Sequence, residues 1–260
     1  MTAPVIHQPD PSLPWAPRVI LRTEVGSTAH GTGLDGVEDY DEMGVYIPPW
    51  QEWVGVSPRQ LPETITYRPG RGPEDRSGPG DYDLVVHDAR KFARLAATGN
   101  PSILMALYGP TRFVEPLGKD LLRLRDAFMS DRARRQFLGY AKAQRERLLG
   151  IRGGRHTNRP ELEAEHGYDT KYAMHMVRLG IQGREYMTTG QISSPVPPGD
   201  RELLLAIRRG ELKLDSVLAL AEENEAALSI MVGRPEPEWA RIDQWLSACY
   251  FHAVQRHAFR

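Results

Sequence analysis

The chain has 260 residues, 40% of them hydrophobic, so it is long enough to bury a substantial core. Its single cysteine, Cys249, excludes an internal disulfide framework and any cysteine-rich zinc site. The net charge of -1 excludes a uniformly basic chain of the kind that binds nucleic acid through its total charge.

The sequence contains no segment typical of membrane insertion or export. No stretch approaches the roughly 20 apolar residues that a membrane helix needs, and the beginning of the chain lacks the regions of a signal peptide. We therefore expect a cytoplasmic, soluble protein without a membrane partner.

The first half of the chain has the pattern of strands. Short runs without helical periodicity predict strands at 17–25, 42–47 and 82–87. Residues 68–80 contain four glycines and three prolines, which predicts a mobile loop. Asp88 is a good N-cap residue and begins a predicted helix that ends before the Gly-Asn-Pro sequence at 99–101.

The second half has the periodicity of helices. We predict helices at 102–108, 120–129, 132–149, 170–183, 200–210, 216–232 and 238–257. Strands that come early and helices that come late indicate an α+β fold, in which a mixed sheet flanked by helices is followed by an α-helical C-terminal domain. The boundary falls near 109–117.

Three aspartates are the candidate catalytic residues. Asp39 and Asp41 form an Asp-x-Asp pair at the start of a strand, so both carboxylates point to the same side. Asp83 lies on a later strand, and the sequence leaves Asp81 open as an alternative third carboxylate. Mg²⁺ favours such hard oxygen ligands together with substrate phosphates. We expect a site for two Mg²⁺ ions, with Mn²⁺ as a possible substitute.

A glycine and a serine precede the acidic pair. Gly26 allows the backbone to approach a phosphate closely, and the hydroxyl and neighbouring amides of Ser27 can donate to phosphate oxygens. We expect this pair to bind the phosphates of a nucleotide.

A predicted helix provides the opposite charge. Lys171, His175 and Arg178 have the spacing i, i+4 and i+7, so all three lie on one helix face. Such a face can bind a triphosphate and neutralise charge on a leaving pyrophosphate. The alternatives are an interior histidine at 175 and a surface cation at 171.

Basic residues are also concentrated in one segment. Residues 123–159 contain eleven Lys or Arg and three acidic residues, an excess of eight positive charges. This segment could bind a triphosphate or an RNA backbone. It could equally be a solvated helix face.

The order of these motifs resembles the signature of polymerase-β-like minimal nucleotidyltransferases. It is similar in particular to the RNA-repair-pathway DNA polymerase β family of bacteria and phages. The resemblance covers about residues 18–232 and is carried by the segments 25–27, 38–49, 90–101, 167–175, 189–190 and 207–210.

The resemblance implies a nucleotidyltransferase fold, with a catalytic domain at 1–115 and a helical domain at 116–260 that contributes basic residues. It also implies transfer of a nucleoside monophosphate from an NTP to an acceptor hydroxyl, with release of pyrophosphate. We expect the acceptor to be an RNA end. Transfer to a protein side chain or a small molecule, and a non-catalytic nucleotide-binding or antitoxin-like module, are the alternatives. The sequence leaves the base preference and the oligomeric state open.

Overall fold

The computed structural model describes residues 9–34, 39–57, 59–70, 80–151 and 159–258, which form one five-stranded sheet with helices around it. Its strands are β1 Val19–Val25, β2 Tyr40–Tyr46, β3 Thr64–Tyr67, β4 Tyr82–Asp88 and β5 Thr111–Val114. Their order in the sheet is β3-β4-β2-β1-β5. The central pair β2 and β4 is parallel, and the other three pairs are antiparallel. The sheet is therefore mixed, as the sequence predicts.

The three predicted strands are confirmed as β1, β2 and β4, whereas β3 and β5 were not predicted. Each of these two edge strands has only four residues, Thr-Ile-Thr-Tyr and Thr-Arg-Phe-Val. A run of four residues is too short to separate a strand from an extended loop by periodicity, and pairing with a longer neighbour stabilises it. Part of the predicted loop at 68–80, residues 71–79, lies outside the described residues.

Helices cover most of the remaining described chain. They are α1 Gly26–His30, α2 Gln51–Val54, α3 Ala89–Ala97, α4 Pro101–Ala106, α5 Pro116–Arg123, α6 Asp131–Leu148, α7 Pro160–His166, α8 Thr170–Thr189, α9 Pro198–Arg208, α10 Leu214–Ser229 and α11 Trp239–Ala258. Asp88 caps α3 as predicted, because the Lys91 backbone N–H donates to its Oδ1 at 2.6 Å. In the described part of the chain, no helix is both long and apolar enough to cross a membrane.

Two helix predictions need correction. The helix predicted at 120–129 is wrong in its bounds, because α5 begins at Pro116 and a separate 3-10 turn follows at Arg125–Phe128. Proline at the first helical position favours this earlier start. The helix predicted to end at Gly183 continues to Thr189. Gly183 is a packing position inside the helix and not its end, because the missing side chain makes room for Phe137 of α6.

The largest buried cluster joins the two parts of the chain. It includes Leu21 and Leu104 from the sheet half, and Phe137, Tyr186 and Trp245 from the helical half. Helix α8 packs against α6, α9 and α10, and so its position relative to the sheet is fixed by the core. The α+β class is confirmed, whereas the division at residue 115 stays a prediction.

Candidate nucleotide site

The acidic side of the site lies on the two central strands. Asp41 on β2 and Asp83 on β4 are opposite each other in the parallel register. Both line a cavity of about 370 Å³ between the sheet and the helices. Asp81 does not line it, and its backbone carbonyl instead accepts the Tyr40 N–H at 2.7 Å. Of the two alternatives for a third carboxylate, Asp83 therefore has the position that the sequence argument requires.

The electrostatics of Asp41 show how close the acidic groups are. Burial, and after it the charges of Asp39 and Asp83, raise the pKa of Asp41 to about 6, although Lys171 and Arg68 act to lower it. Two neighbouring carboxylates disfavour ionisation of a third. Asp39, just before β2, and Lys171 do not line the cavity, but both act on the carboxyl that does.

The acidic side contains a cation that sequence reasoning missed. Arg68, immediately after β3, donates from Nε to Asp83 Oδ1 at 2.9 Å and lines the same cavity. Over the described ranges, no three His, Cys, Asp or Glu side chains are arranged to hold a metal ion as they stand. The donor chemistry nevertheless suits Mg²⁺, because Asp39, Asp41 and Asp83 provide mutually repelling hard oxygens.

Gly26 is the backbone position against which Asp41 packs. Val25 at the end of β1 pairs with Asp41, so the chain enters α1 beside this carboxylate. Gly26 has φ +78°, and a Cβ atom there would overlap Asp41 Oδ2. Ser27 is placed differently from the expectation, because it lies inside α1 and does not line the cavity.

The cationic side of the cavity is formed by α8. Arg178 is only 6% exposed, and its guanidinium donates to His175 Nδ1 and Gln182 Oε1, both at 3.1 Å, and to Met105 Sδ at 3.4 Å. None of these partners is anionic, and its Nε meets no acceptor in the described structure. Burial lowers the pKa of Arg178 to about 10. A buried cation without a carboxylate is costly unless an anion binds to it.

The other two predicted cations accompany Arg178. His175 lines the cavity, and its pKa is lowered well below the usual value by burial and by the charges of Arg178 and Lys171. Burial and the charges of Arg159 and Arg208 lower the pKa of Lys171, and the charges of Asp39 and Asp41 offset only part of this effect. Lys171 is thus close enough to the aspartates and to Arg159 and Arg208 for their charges to act on it, although it does not line the cavity with His175 and Arg178.

Several cavity residues escaped the sequence analysis. They come from elements whose relation to the site is set only by folding: His30 on α1, Thr66 on β3, Ser102 on α4, and Tyr140 and Gln144 on α6. The Gln144 Oε1 atom is buried without a hydrogen-bond donor in the described structure. None of these residues has a spacing that distinguishes it from a packing residue, so the sequence offered no usable signal.

In the described part of the basic segment at 123–159, six of the nine Lys and Arg residues form ion pairs, most of them with acidic residues outside the segment. In the described part of the segment, its arginines form these ion pairs: Arg123–Asp120, Arg132–Glu236, Arg134–Asp131, Arg135–Asp131, Arg145–Glu225 and Arg159–Asp169. A stripe of cations paired in this way has little charge left for a nucleic-acid backbone. The interpretation as a surface helix face is therefore favoured.

The mixed sheet with its paired carboxylates, taken together with a family match, puts the chain in the class of nucleotidyltransferase-like α+β proteins. The sequence model of the RNA repair pathway DNA polymerase beta family matches residues 7–247. The chain therefore belongs to this family, and the resemblance found in the sequence is confirmed.

Among solved structures, the chain is similar to a nucleotidyltransferase-like protein from Exiguobacterium sibiricum. The two share 11% sequence identity with a TM-score of 0.29, over 93% of this chain and 75% of that one. No curated protein matches this chain.

Proposed function

We propose that the protein is a metal-dependent nucleotidyltransferase that transfers NMP from an NTP to an acceptor hydroxyl and releases pyrophosphate. One observation carries the proposal: Asp41 and Asp83 face the buried, carboxylate-free Arg178 across a single cavity. A Mg-bound triphosphate has the complementary charges, because its metal ions bind to carboxylates and its oxygens to a guanidinium.

The acidic side would hold the metal ions. Asp39 and Asp41 would bind both ions, and Asp83 would bind the catalytic ion and accept the proton of the attacking hydroxyl. Two divalent ions, when bound, would stabilise both the attacking and the leaving oxygen. Arg68 would have to give up its contact with Asp83 for this, and the triphosphate offers it a new anionic partner.

The cationic side would hold the phosphates. Arg178 provides a fixed, desolvated charge, and Lys171 is near enough to the aspartates and to Arg159 and Arg208 to respond to their charges. Fixed donors of this kind stabilise charge that develops on a leaving group without reorganisation. His175 holds Arg178 in place through its Nδ1 and adds its own N–H to the cavity.

For the acceptor we propose an RNA end, and the family description supports this choice. Because most basic residues in the described part of the segment 123–159 already form ion pairs, we expect the RNA contact close to the cavity. A protein side chain or a small molecule stays the alternative acceptor.

The test uses purified protein with each of four α-labelled NTPs, Mg²⁺, and total cellular RNA or total protein as acceptor. We expect label in the RNA fraction, and no label with Asp41→Asn or Asp83→Asn. Asp81→Asn is the matched control, because it removes the same charge two residues away, outside the cavity wall, and should retain activity. Label in the protein fraction alone would contradict the RNA proposal. Full activity of Asp41→Asn at saturating Mg²⁺ would contradict the metal site.

A further inference from the structure

A chain of hydrogen bonds fixes the orientation of a buried amide beside the site. The Arg178 guanidinium can only donate, and one of its nitrogens lies 3.1 Å from Gln182 Oε1. The other amide atom, Nε2, must then donate, and it lies 3.4 Å from the backbone carbonyl of Ser193, which can only accept. Two neighbours of fixed character therefore agree on the orientation of the amide.

The same logic fixes the protonation of His30. Gln182 Nε2 lies 3.3 Å from His30 Nδ1, and since the amide nitrogen donates, Nδ1 must accept. His30 therefore has its proton on Nε2. Burial lowers the pKa of His30 well below its usual value, as do the charges of Arg178 and His175, so the ring is neutral near pH 7.

His175 is fixed in the same way and by the same arginine. Arg178 donates to His175 Nδ1 at 3.1 Å, so this ring also has its proton on Nε2. Both imidazoles line the cavity, and neither Nε2 meets a protein acceptor in the described structure. Together with Arg178, they form a group of donors that presents no acceptor of its own.

A group of donors without acceptors selects its ligand. At these three side chains the N–H groups of a base edge would find no acceptor, whereas phosphate oxygens, which only accept, would find a donor at each. The unpaired charge of Arg178 favours an anion for the same reason. His30 is the last residue of α1, whose first residue Gly26 packs against Asp41, and it lines the same cavity as that carboxylate.

We propose that His30 is a substrate-binding residue whose Nε2–H donates to a phosphate oxygen of the nucleoside triphosphate, and that Gln182 is the positioning residue that fixes its tautomer. The proposal rests on the proposed function, since it assigns a phosphate contact within the same cavity. The competing explanation is that His30 only fills the core between α1 and α8.

The first test observes the tautomer directly, by long-range ¹H–¹⁵N NMR of the full chain, with His30 assigned through His30→Gln. We expect a neutral ring protonated at Nε2. In Gln182→Glu, an oxygen replaces the donating nitrogen, so His30 Nδ1 should gain a proton and the ring should become imidazolium. The matched control is Gln191→Glu, on the surface, which should leave the His30 signals unchanged. A ring protonated at Nδ1, or no response to Gln182→Glu, would overturn the proposal.

The second test measures binding of inorganic tripolyphosphate, with Mg²⁺, by calorimetry. His30→Asn keeps an acceptor for Gln182 but has no donor at the Nε2 position, whereas His30→Gln places an amide nitrogen there. We expect His30→Asn to weaken binding about tenfold to a hundredfold, since a hydrogen bond to a charged group is lost, and His30→Gln to restore most of it. His252→Asn, at a half-buried position on α11 that does not line the cavity, is the control and should bind like the wild type.

The outcomes separate this proposal from the function on which it rests. Equal binding by the wild type and His30→Asn would overturn the phosphate contact and leave the proposed function standing. Failure of the wild type to bind tripolyphosphate or any of the four NTPs would overturn both.

Discussion

Asp41 is the residue at which function and stability oppose each other. In the metal-free protein its pKa is raised from 3.8 to about 6, first by burial and then by Asp39 and Asp83. A carboxyl whose folded pKa is raised contributes its full stabilisation of the folded state below its unfolded pKa. This contribution is lost as the pH rises through the folded pKa. Above pH 6 the ionised Asp41 therefore destabilises the metal-free fold.

We accordingly predict that Asp41→Asn stabilises the metal-free protein at pH 8, by on the order of 1–3 kcal/mol. The gain should decrease as the pH falls through 6 and disappear near pH 4, where Asp41 is protonated in both states. Denaturant unfolding at several pH values, in the presence of a chelator, measures this.

The same variant should lose the response to Mg²⁺. A ligand that binds the folded state raises the free energy of unfolding, and the increase grows with the affinity. Mg²⁺ should therefore stabilise the wild type and not Asp41→Asn. Asp81→Asn serves as the charge-matched control in both measurements. Equal stability of Asp41→Asn and the wild type at pH 8 would contradict the electrostatic argument.

At the scale of elements, the contact between α6 and the turn that joins α3 to α4 depends on a glycine. Gly99 follows α3 with φ +82°, and a Cβ atom there would overlap the backbone of Ala133 in α6. By contrast, Gly139 lies on the outer side of α6, where an added Cβ atom would meet open space. The two glycines thus have opposite structural roles.

We predict that Gly99→Ala lowers the free energy of unfolding by about 2–4 kcal/mol, because it adds a steric overlap to an unfavourable backbone conformation. Gly139→Ala should raise it by about 1 kcal/mol, because alanine is the better helix former. Chemical denaturation of both variants measures the two effects. Destabilisation by Gly139→Ala similar to that of Gly99→Ala would show that α6 is packed differently.

At the scale of the whole molecule, one core connects the sheet and the helical part. Leu104, Phe137 and Trp245 belong to the same buried cluster although they lie on both sides of the predicted boundary at 115. Helix α11 packs against α3 and α5, so the end of the chain returns to the first half. A shared core of this kind couples the two parts energetically.

We therefore predict a single cooperative thermal transition, in which the calorimetric and van't Hoff enthalpies agree. Differential scanning calorimetry of the full chain measures both. Two separate transitions would contradict the shared core and would make residue 115 a thermodynamic boundary.

The sequence alone determined the family and the class of the fold. Period-2 alternation predicted Asp39 and Asp41 on one side of a strand, and the 3.6-residue period predicted Lys171, His175 and Arg178 on one helix face. In the fold Asp41, His175 and Arg178 line the cavity, whereas Asp39 and Lys171 do not. The three longer strands and the N-cap at Asp88 followed from equally local patterns. The family followed from the order of several such segments along the chain. These features are encoded within a few residues of each other, and local periodicity is what a single sequence displays.

Only the tertiary structure decided which residues meet. The parallel register of β2 and β4 puts Asp41 opposite Asp83, and no spacing along the chain encodes a register. The packing of α1 against α8 brings His30 within 3.3 Å of Gln182, across 152 residues. Contacts between distant segments depend on how all the elements pack together, and for this reason Arg68, His30 and Gln144 became recognisable as cavity residues only in the folded chain.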